Sequence, residues 1–553
     1  MKRILTLSVM LMMAIGTMLA WQTSDTEAIR LDGEGTNGQV QMKTLTTPEG
    51  KIILSWLRGE RVDGVFAYRL HLQVFDADGN AQFGDEGIIV SDKPTWTYTT
   101  DYALALASNG DILLGYHDIR NDVENQENSE VYVYRYTQQG EPVWDADGVL
   151  FPAGKLHENA MLAENVNPVV CASGDNIYVA ASHTEYYNEK ATEDNWSPSP
   201  WFPNQEMPDS VTVTDAKWLV MSMTADGAIV EVDPITLPTR IMVLKPAPEG
   251  DVYAIYNNDD SGLEAQRLDN TLTNVWENPV LVEEGPLASG MFMPTPLAEL
   301  DADGGVVLSY RKLLSWSGFQ VVNYLSPDGD VLTEPTICNN TTDGDASTAV
   351  MAVKDYQTFV AWEYTDVEGM ENMYVNSLDT YGGFLWMGED IYGKSLDQND
   401  MWGFTPVKVI PQSDGWVLLY GNLQSWNGAN FMVVKMDDMG VIMWTKQICE
   451  DNFKSSGFSV AYDEGHAYIF YTQDEQYDEN WNVIPGSGGM YVMCVDIRGQ
   501  QTAINEIDTP ARVSTTEIYT IDGKRVNTME SGTIYIVRMT DENGNVTTTK
   551  VMK

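Results

Sequence analysis

The residue types that most often carry catalysis do not form a recognisable reaction centre in this sequence. The five histidines are scattered, without an HExxH motif or other ligand spacing: His71, His117, His157, His183 and His466. No GxSxG segment marks a nucleophilic serine. The four cysteines lack CxxC spacing, and only Cys449 and Cys494 fall on neighbouring repeats, where a disulfide could form. We therefore predict no catalytic residues, and the sequence favours a protein that is not an enzyme.

Carboxylates are abundant, with 81 Asp and Glu residues. A glycosidase needs two facing carboxyl groups, so an alternative hypothesis is a secreted glycan hydrolase with such a pair in a central funnel. Acidic clusters at 76–80 and 257–260 could also bind calcium, but they lack the distal Glu of a complete calcium loop. Turn formation explains these clusters, and we predict no cofactor and no metal site, with calcium left open.

Aromatic residues in long, polar segments are the strongest candidates for ligand binding. Tryptophan and tyrosine beside Asn, Asp and Glu stack on sugar rings or anchor protein partners. The candidate residues are Tyr186, Tyr187, Trp196, Trp201, Phe202, Trp316, Trp426, Tyr477 and Trp481. The alternative for each residue is that it packs its own loop against the scaffold.

A repeat of about 50 residues is the element that would position these loops. Each unit has four short apolar strands, and its third strand ends in a glycine that an aromatic residue follows four positions later. This glycine–aromatic mark appears as Gly79 to Phe83, Gly140 to Trp144, Gly382 to Trp386 and Gly440 to Trp444. The glycine supplies a positive φ for the hairpin turn, and the aromatic residue is placed to pack on the adjacent unit.

The units predict an all-β fold, a β-propeller of eight four-stranded blades, with seven blades as the alternative. The predicted blades lie near 40–92, 100–152, 166–238, 239–290, 294–340, 346–395, 403–452 and 455–508, and the mark is degenerate in the fourth. Turns between the first two strands are short, whereas the connections on the opposite face are long and varied. A binding site is expected on that loop-rich face.

The two ends of the chain differ from the repeats. Residues 1–20 combine Lys2 and Arg3 with an apolar stretch, which predicts a signal peptide cleaved after Ala20, a retained anchor being the alternative. No later stretch is long and apolar enough to span a membrane. The propeller is predicted over 21–508, followed by a small β-sandwich-like tail over 509–553.

The tail resembles the C-terminal sorting domain of type IX secretion substrates of Bacteroidota. The shared features are Ile518-Tyr519, Asp522-Gly523-Lys524-Arg525-Val526, and Gly532 followed by Ile534 to Arg538. This resemblance implies the secretion machinery as a partner and a secreted or cell-surface location. Separately, D-x-x-G-x-x-x-W, as in Asp379 to Trp386, is similar to the tryptophan-docking repeat of quinoprotein-like propellers. The cysteine pair of quinone-binding members is absent, so this resemblance implies packing and no cofactor.

The net charge excludes nucleic acid as a partner, because a formal charge of −49 repels the phosphate backbone. The sequence therefore favours an exported, non-catalytic binding protein that uses the loop-rich face of a propeller to hold a glycan or protein ligand. The secreted hydrolase and a structural envelope component are the alternatives.

Overall fold

The computed structural model divides the chain into two compact units, Met1–Ile497 and Arg498–Lys553. The predicted signal peptide, 1–20, lies outside the residues that the structure describes. The described residues are 21, 23–24, 27–32, 39–62, 65–95, 101–122, 128–198, 205–231, 235–237, 242–258, 260–285, 295–314, 317–338, 344–365, 371–386, 394–395, 404–422, 429–453, 458–473, 484, 488–498, 513–520, 524–526, 534–541 and 546–552. No helix among them is long and apolar enough to cross a membrane.

The described strands of the first unit form eight four-stranded antiparallel sheets, the blades of a β-propeller. A short strand, β1 (Ile29–Arg30), precedes them. Blade 1 is β2 (Gln39–Thr46), β3 (Ile52–Val62), β4 (Val65–Phe75) and β5 (Ile88–Thr95). Blade 2 is β6 (Ala103–Leu106), β7 (Ile112–Asp118), β8 (Glu130–Tyr136) and β9 (Val149–Leu150). Blade 3 is β10 (Ala160–Ser173), β11 (Asn176–Lys190), β12 (Ser210–Thr224) and β13 (Ile235–Leu237).

The next blades follow the same order. Blade 4 is β14 (Met242–Pro246), β15 (Val252–Asn258), β16 (Gly262–Leu268) and β17 (Val280–Glu284), with a 3-10 turn at Pro248–Gly250. Blade 5 is β18 (Leu297–Leu300), β19 (Val306–Leu314), β20 (Ser317–Leu325) and β21 (Thr336–Ile337). Blade 6 is β22 (Asp345–Lys354), β23 (Gln357–Thr365), β24 (Glu371–Asp379) and β25 (Lys394–Ser395). Blade 7 is β26 (Phe404–Gln412), β27 (Gly415–Asn422), β28 (Ala429–Met436) and β29 (Ile442–Phe453).

Blade 8 corrects the sequence prediction, which placed all four of its strands within 455–508. Its first three strands are β30 (Phe458–Tyr462), β31 (His466–Gln473) and β32 (Gly489–Asp496), and its fourth is β1 from the N-terminal segment. The pairing is antiparallel, with Ile29 opposite Val492. The two ends of the first unit are thus hydrogen-bonded to each other, which closes the ring.

Trp21 continues this closure at the contact between blades 8 and 1. Its ring centroid lies 5.5 Å from that of Phe75 in blade 1 and 5.0 Å from that of Tyr468 in blade 8. Its backbone N–H donates to the carbonyl of Asp78 at 3.1 Å. Trp21 therefore packs between the first and last blades, much as the tryptophans of the glycine–aromatic mark pack between other blades.

The predicted packing role of the glycine–aromatic mark is confirmed. A Cβ built on Gly440 of blade 7 would lie 2.5 Å from the ring of Trp386 in blade 6, and one on Gly227 would lie 3.0 Å from Trp144 of blade 2. The indole of Trp386 also donates to the carbonyl of Asp438 at 2.8 Å. Because each ring lies on a turn glycine of the next blade, the mark ties neighbouring blades together.

Blades 3 and 4 replace this arrangement with a different pair of residues. Blade 3 has Glu231 at the aromatic position, so no ring covers the next turn. Blade 4 has Leu272 at the glycine position, with φ of 59°, and this side chain is only 2% exposed in the apolar cluster that the two blades share. The fourth mark is thus degenerate in its glycine, whereas its aromatic residue, Trp276, is present.

The core lies between blades, where middle strands are covered on both sides. In β7 all seven residues are buried, so its apolar run is continuous rather than alternating.

The second unit is one antiparallel sheet in the order β34 (Arg525–Val526), β33 (Val513–Thr520), β35 (Ile534–Asp541), β36 (Val546–Met552). Asp522-Gly523 and Gly532 of the sorting-domain motif lie outside the described residues.

Candidate functional site

The face that carries the long connections, here called the loop face, is most elaborate at blade 3. Strands β11 and β12 each have 15 residues and stay in register from Asn176–Thr224 to Lys190–Ser210. The first half of β12 alternates between exposed and half-buried residues, whereas its second half is buried. This pattern shows that the strand pair projects beyond the packed blades and forms an exposed ribbon on the loop face.

Two predicted binding residues, Tyr186 and Tyr187, lie next to each other on β11 and therefore point to opposite sides of this ribbon. Tyr187 is 8% exposed, and its ring stacks on His157 with centroids 4.0 Å apart. Tyr186 is half-buried, and its hydroxyl donates to Glu164 at 3.3 Å. Tyr187 thus packs inward, whereas Tyr186 keeps part of its ring accessible beside a carboxylate.

A buried carboxylate fixes the connection between blades 2 and 3 beneath this surface. Glu185 is fully buried and accepts backbone N–H groups from Leu156 at 2.7 Å and His157 at 2.8 Å. The His183 ring lies 3.1 Å from the same carboxylate and 2.7 Å from Asn165. Because a buried carboxylate is stable only when hydrogen-bonded, this network holds 156–157 in one position.

Above it, Asp215 presents an ionised carboxylate at the surface. Its oxygen lies 2.9 Å from His157 Nε2 and 2.9 Å from the Lys217 ammonium. Partial burial raises the pKa of Asp215, but the hydrogen bonds from His157 and Lys217 outweigh it and lower the pKa below its usual value. The carboxylate is therefore a fixed acceptor rather than a proton donor at neutral pH.

Blade 2 carries a further carboxylate near this face, on the side of its sheet that packs against blade 1. Glu130 accepts the Tyr132 hydroxyl at 2.9 Å, and Tyr132 lies under the Arg120 guanidinium, 3.5 Å from ring centroid to Cζ. Ser129 and Asn165 join the two blades, since the Asn165 N–H donates to the Ser129 carbonyl at 3.0 Å. Blades 2 and 3 are thus hydrogen-bonded to each other at the loop face, whereas Glu130 and Tyr132 point toward blade 1.

Trp196 lies in the connection between β11 and β12 and is half-buried. Its backbone N–H donates to the Thr192 carbonyl at 3.1 Å, so Trp196 lies in a hydrogen-bonded turn. Tyr186 and Glu164 lie on the side of the ribbon that faces blade 4, whereas His157 and Asp215 lie on the side that faces blade 2. We call Glu164, Tyr186 and Trp196 the loop-face site. The other predicted residues, Trp201, Phe202, Trp316, Trp426, Tyr477 and Trp481, lie outside the described residues.

The central channel is lined by the first strands of the blades, which contact one another around the axis. Lys245 of blade 4 and Glu299 of blade 5 form an ion pair at 3.2 Å, and Lys43 of blade 1 pairs with Asp101 at 2.9 Å. Both of these carboxylates are therefore engaged by lysine. Over the part of the chain that the structure describes, no group of three His, Cys, Asp or Glu side chains is arranged to hold a metal ion.

The first of the two acidic clusters considered for calcium is engaged in its own turn. The Asp76 carboxylate accepts the backbone N–H groups of Asp78 at 3.0 Å and Asn80 at 2.8 Å, and the Asn80 side-chain amide at 2.9 Å. These bonds are those of an Asx-type turn. Asp259, in the second cluster, lies outside the described residues.

Comparison with known proteins finds solved structures of similar fold but no family to which the chain belongs. No protein-family model matches the chain, and no curated protein sequence matches it. It is similar to a protein of unknown function from Dyadobacter fermentans, with 10% identity over 85% of this chain and 98% of that chain and a TM-score of 0.35. It is also similar to polysaccharide lyase Uly1, with 9% identity over 87% of this chain and 93% of that chain and a TM-score of 0.39. A third similar structure is that of an ulvan lyase, with 11% identity over 71% of this chain and 91% of that chain and a TM-score of 0.37. Since all three TM-scores are below 0.5, the propeller is assigned from the strand order of this chain itself.

Proposed function

We propose that this chain is an exported, non-catalytic carbohydrate-binding protein and that its ligand lies on the loop-face site of blade 3. The observation that carries the proposal is the accessible ring of Tyr186 beside Glu164 on a ribbon that projects from the ring of blades. Aromatic faces stack on the apolar faces of sugar rings, and carboxylates accept hydrogen bonds from sugar hydroxyls.

The carboxylates on the other side of the ribbon support binding rather than hydrolysis. Asp215 is held ionised by His157 and Lys217, and Glu185 is buried beneath the surface with its oxygens engaged by backbone N–H groups. A glycosidase acid needs a carboxyl group whose pKa is raised toward neutrality. The pKa of Asp215 is shifted the other way.

The same proposal includes export and a role of the C-terminal tail in secretion, and both rest on the sequence. The basic and apolar pattern of 1–20 supports cleavage after Ala20, and the tail motif around Ile534 to Arg538 supports recognition by a type IX secretion machinery. Cell fractionation of chains with and without 509–553 tests this part. Retention of the full-length chain inside the cell would contradict it.

The binding proposal is tested with a glycan screen of the chain lacking 1–20, followed by titration of the best ligand. Replacing Tyr186 and Trp196 together by alanine removes both accessible rings, so we expect affinity to fall by about 10-fold or more. Glu164→Gln keeps the shape of the side chain but removes its charge, and we expect a smaller loss.

The matched control is Tyr381→Ala, since Tyr381 is 78% exposed on the opposite face. This variant is expected to bind as the unchanged protein does. Equal affinity of the Tyr186 and Trp196 double variant and the control, with both chains folded by circular dichroism, would show that the loop-face site does not bind the glycan.

A further inference from the structure

The first strands of four separate blades bring polar and charged side chains to the central channel. Lys245, Glu299, Lys408 and Tyr462 all lie on first strands, and we call them the channel pocket. The Lys245–Glu299 ion pair measures 3.2 Å, and the Lys408 ammonium lies 5.8 Å from the centroid of the Tyr462 ring. The charges of Glu299 and Lys245 act on Lys408, and that of Glu299 acts on Tyr462, so the two pairs face the same space in the channel.

Solvent reaches this pocket even though it lies on the innermost strands. The Glu299 side chain is 45% exposed and that of Lys245 is 27% exposed. Lys408 is half-buried. Since exposure on an innermost strand is exposure to the channel, the channel contains open space beside these groups.

The pocket has more positive than negative charge, with two ammonium groups and one carboxylate. Within the described ranges, the ion pairs include Lys245 with Glu299 but none to Lys408. Burial lowers the pKa of Lys408, the charge of Glu299 opposes this, and the charge of Lys245 adds to it. The carboxylate of Glu299 thus reaches Lys408 electrostatically without neutralising both lysines.

We propose that the channel pocket binds a small anionic group, a sulfate or a carboxylate, through charge-assisted hydrogen bonds from Lys408 and Lys245. Partly dehydrated ammonium groups hold oxyanions strongly because such bonds are about twice as strong as neutral ones. A cation would meet two like charges, and a neutral sugar would leave the lysine charge uncompensated. This site goes beyond the proposed loop-face function and uses none of its residues.

The strongly acidic composition of the chain does not oppose this assignment at close range. Charges more than about 10 Å away are largely screened at 0.1 M salt, whereas an anion in the pocket touches the lysines directly. The formal charge of −49 therefore affects how quickly an anion approaches more than how tightly the pocket holds it.

The test is isothermal titration of the full chain lacking only 1–20 with sodium sulfate, sodium glucuronate and, as a neutral probe, glucose. We expect binding of at least one of the two anions and no binding of glucose. Lys408→Met keeps the length of the side chain but removes its charge, and we expect about 10- to 100-fold weaker anion binding. Glu299→Gln removes the competing carboxylate, so we expect anion binding to tighten.

Lys51→Met is the matched control, because Lys51 lies at the turn on the opposite face and bonds to Gln138 at 2.9 Å. It is expected to leave anion binding unchanged. If Lys408→Met fails to fold, Lys408→Arg, which retains the charge, is expected to bind anions and Glu299→Gln still to bind them more tightly. Anion affinity that is the same in the unchanged protein, Lys408→Met and Glu299→Gln, or no anion binding at all, would overturn the proposal. Loss of glycan binding in the loop-face variants with intact anion binding would leave this inference standing.

Discussion

Removing the indole of Trp386 is the most direct way to measure what holds neighbouring blades together. The ring is 6% exposed, contacts Phe359 edge-on with centroids 5.1 Å apart, and donates to the Asp438 carbonyl at 2.8 Å. Truncation of a buried tryptophan to alanine costs about 3–5 kcal/mol. Because Asp438 lies in a surface turn, water can replace the lost hydrogen bond, so we expect Trp386→Ala to lower the free energy of unfolding by about 4 kcal/mol.

Urea unfolding followed by circular dichroism measures this change, provided that the slope of the transition is unchanged. Trp386→Phe retains the packing on Phe359 but loses the indole donor, and we expect a smaller loss of about 1–2 kcal/mol. Tyr381→Ala removes an exposed aromatic residue from the same blade, with an expected effect below about 0.5 kcal/mol. If Trp386→Ala destabilised the chain no more than Tyr381→Ala, the docking of tryptophan on the next blade would not be a source of stability.

Three further predictions concern other parts of the propeller. Gly440→Ala adds a Cβ 2.5 Å from the Trp386 ring at a φ of 75°, so we expect a loss of about 1–3 kcal/mol in unfolding free energy, and an unchanged midpoint in urea would contradict this. Leu272→Gly relieves a φ of 59° but opens a cavity, and because a cavity costs about 2–5 kcal/mol we expect net destabilisation; a raised thermal midpoint would refute the packing role of Leu272. Partial burial raises the pKa of Asp463, but hydrogen bonds from a histidine and a tyrosine of blade 8 lower it to about 2, so its stabilising effect is present above its usual pKa of 3.8 and disappears as the pH falls through about 2. Asp463→Asn should therefore lower stability at pH 7 by about 1 kcal/mol, after allowance for solvent screening, and have little effect below pH 2 in thermal unfolding across this pH range.

The blades could be predicted from the sequence because their signals are local. A turn glycine and an aromatic residue four positions later mark the hairpin. The same aromatic residue marks the contact with the next blade, as the packing of Trp386 on Gly440 shows. The fourth strand of blade 8 could not be found in this way. Ile29 pairs with Val492, and no local pattern connects residues so far apart in the chain.

The candidate site was predicted as a face but not as a set of contacts. Tyr186 and Tyr187 are adjacent in sequence, and only the register of β11 shows that Tyr187 packs on His157 while Tyr186 stays accessible. The contact between His157 and Asp215 joins the connection between blades 2 and 3 to strand β12, so neither residue had a spacing signal. Likewise Lys408 belongs to the channel pocket only because the ring brings the first strands of distant blades together.

The central claim is that carbohydrate lies on the loop face of blade 3. A crystal structure of the chain without 1–20, bound to the best oligosaccharide from the glycan screen, tests this claim most directly. The account predicts a sugar ring stacked on Tyr186 or Trp196, with a hydroxyl within hydrogen-bond distance of Glu164. An oligosaccharide bound on the opposite face, with those three side chains uncovered, would contradict it.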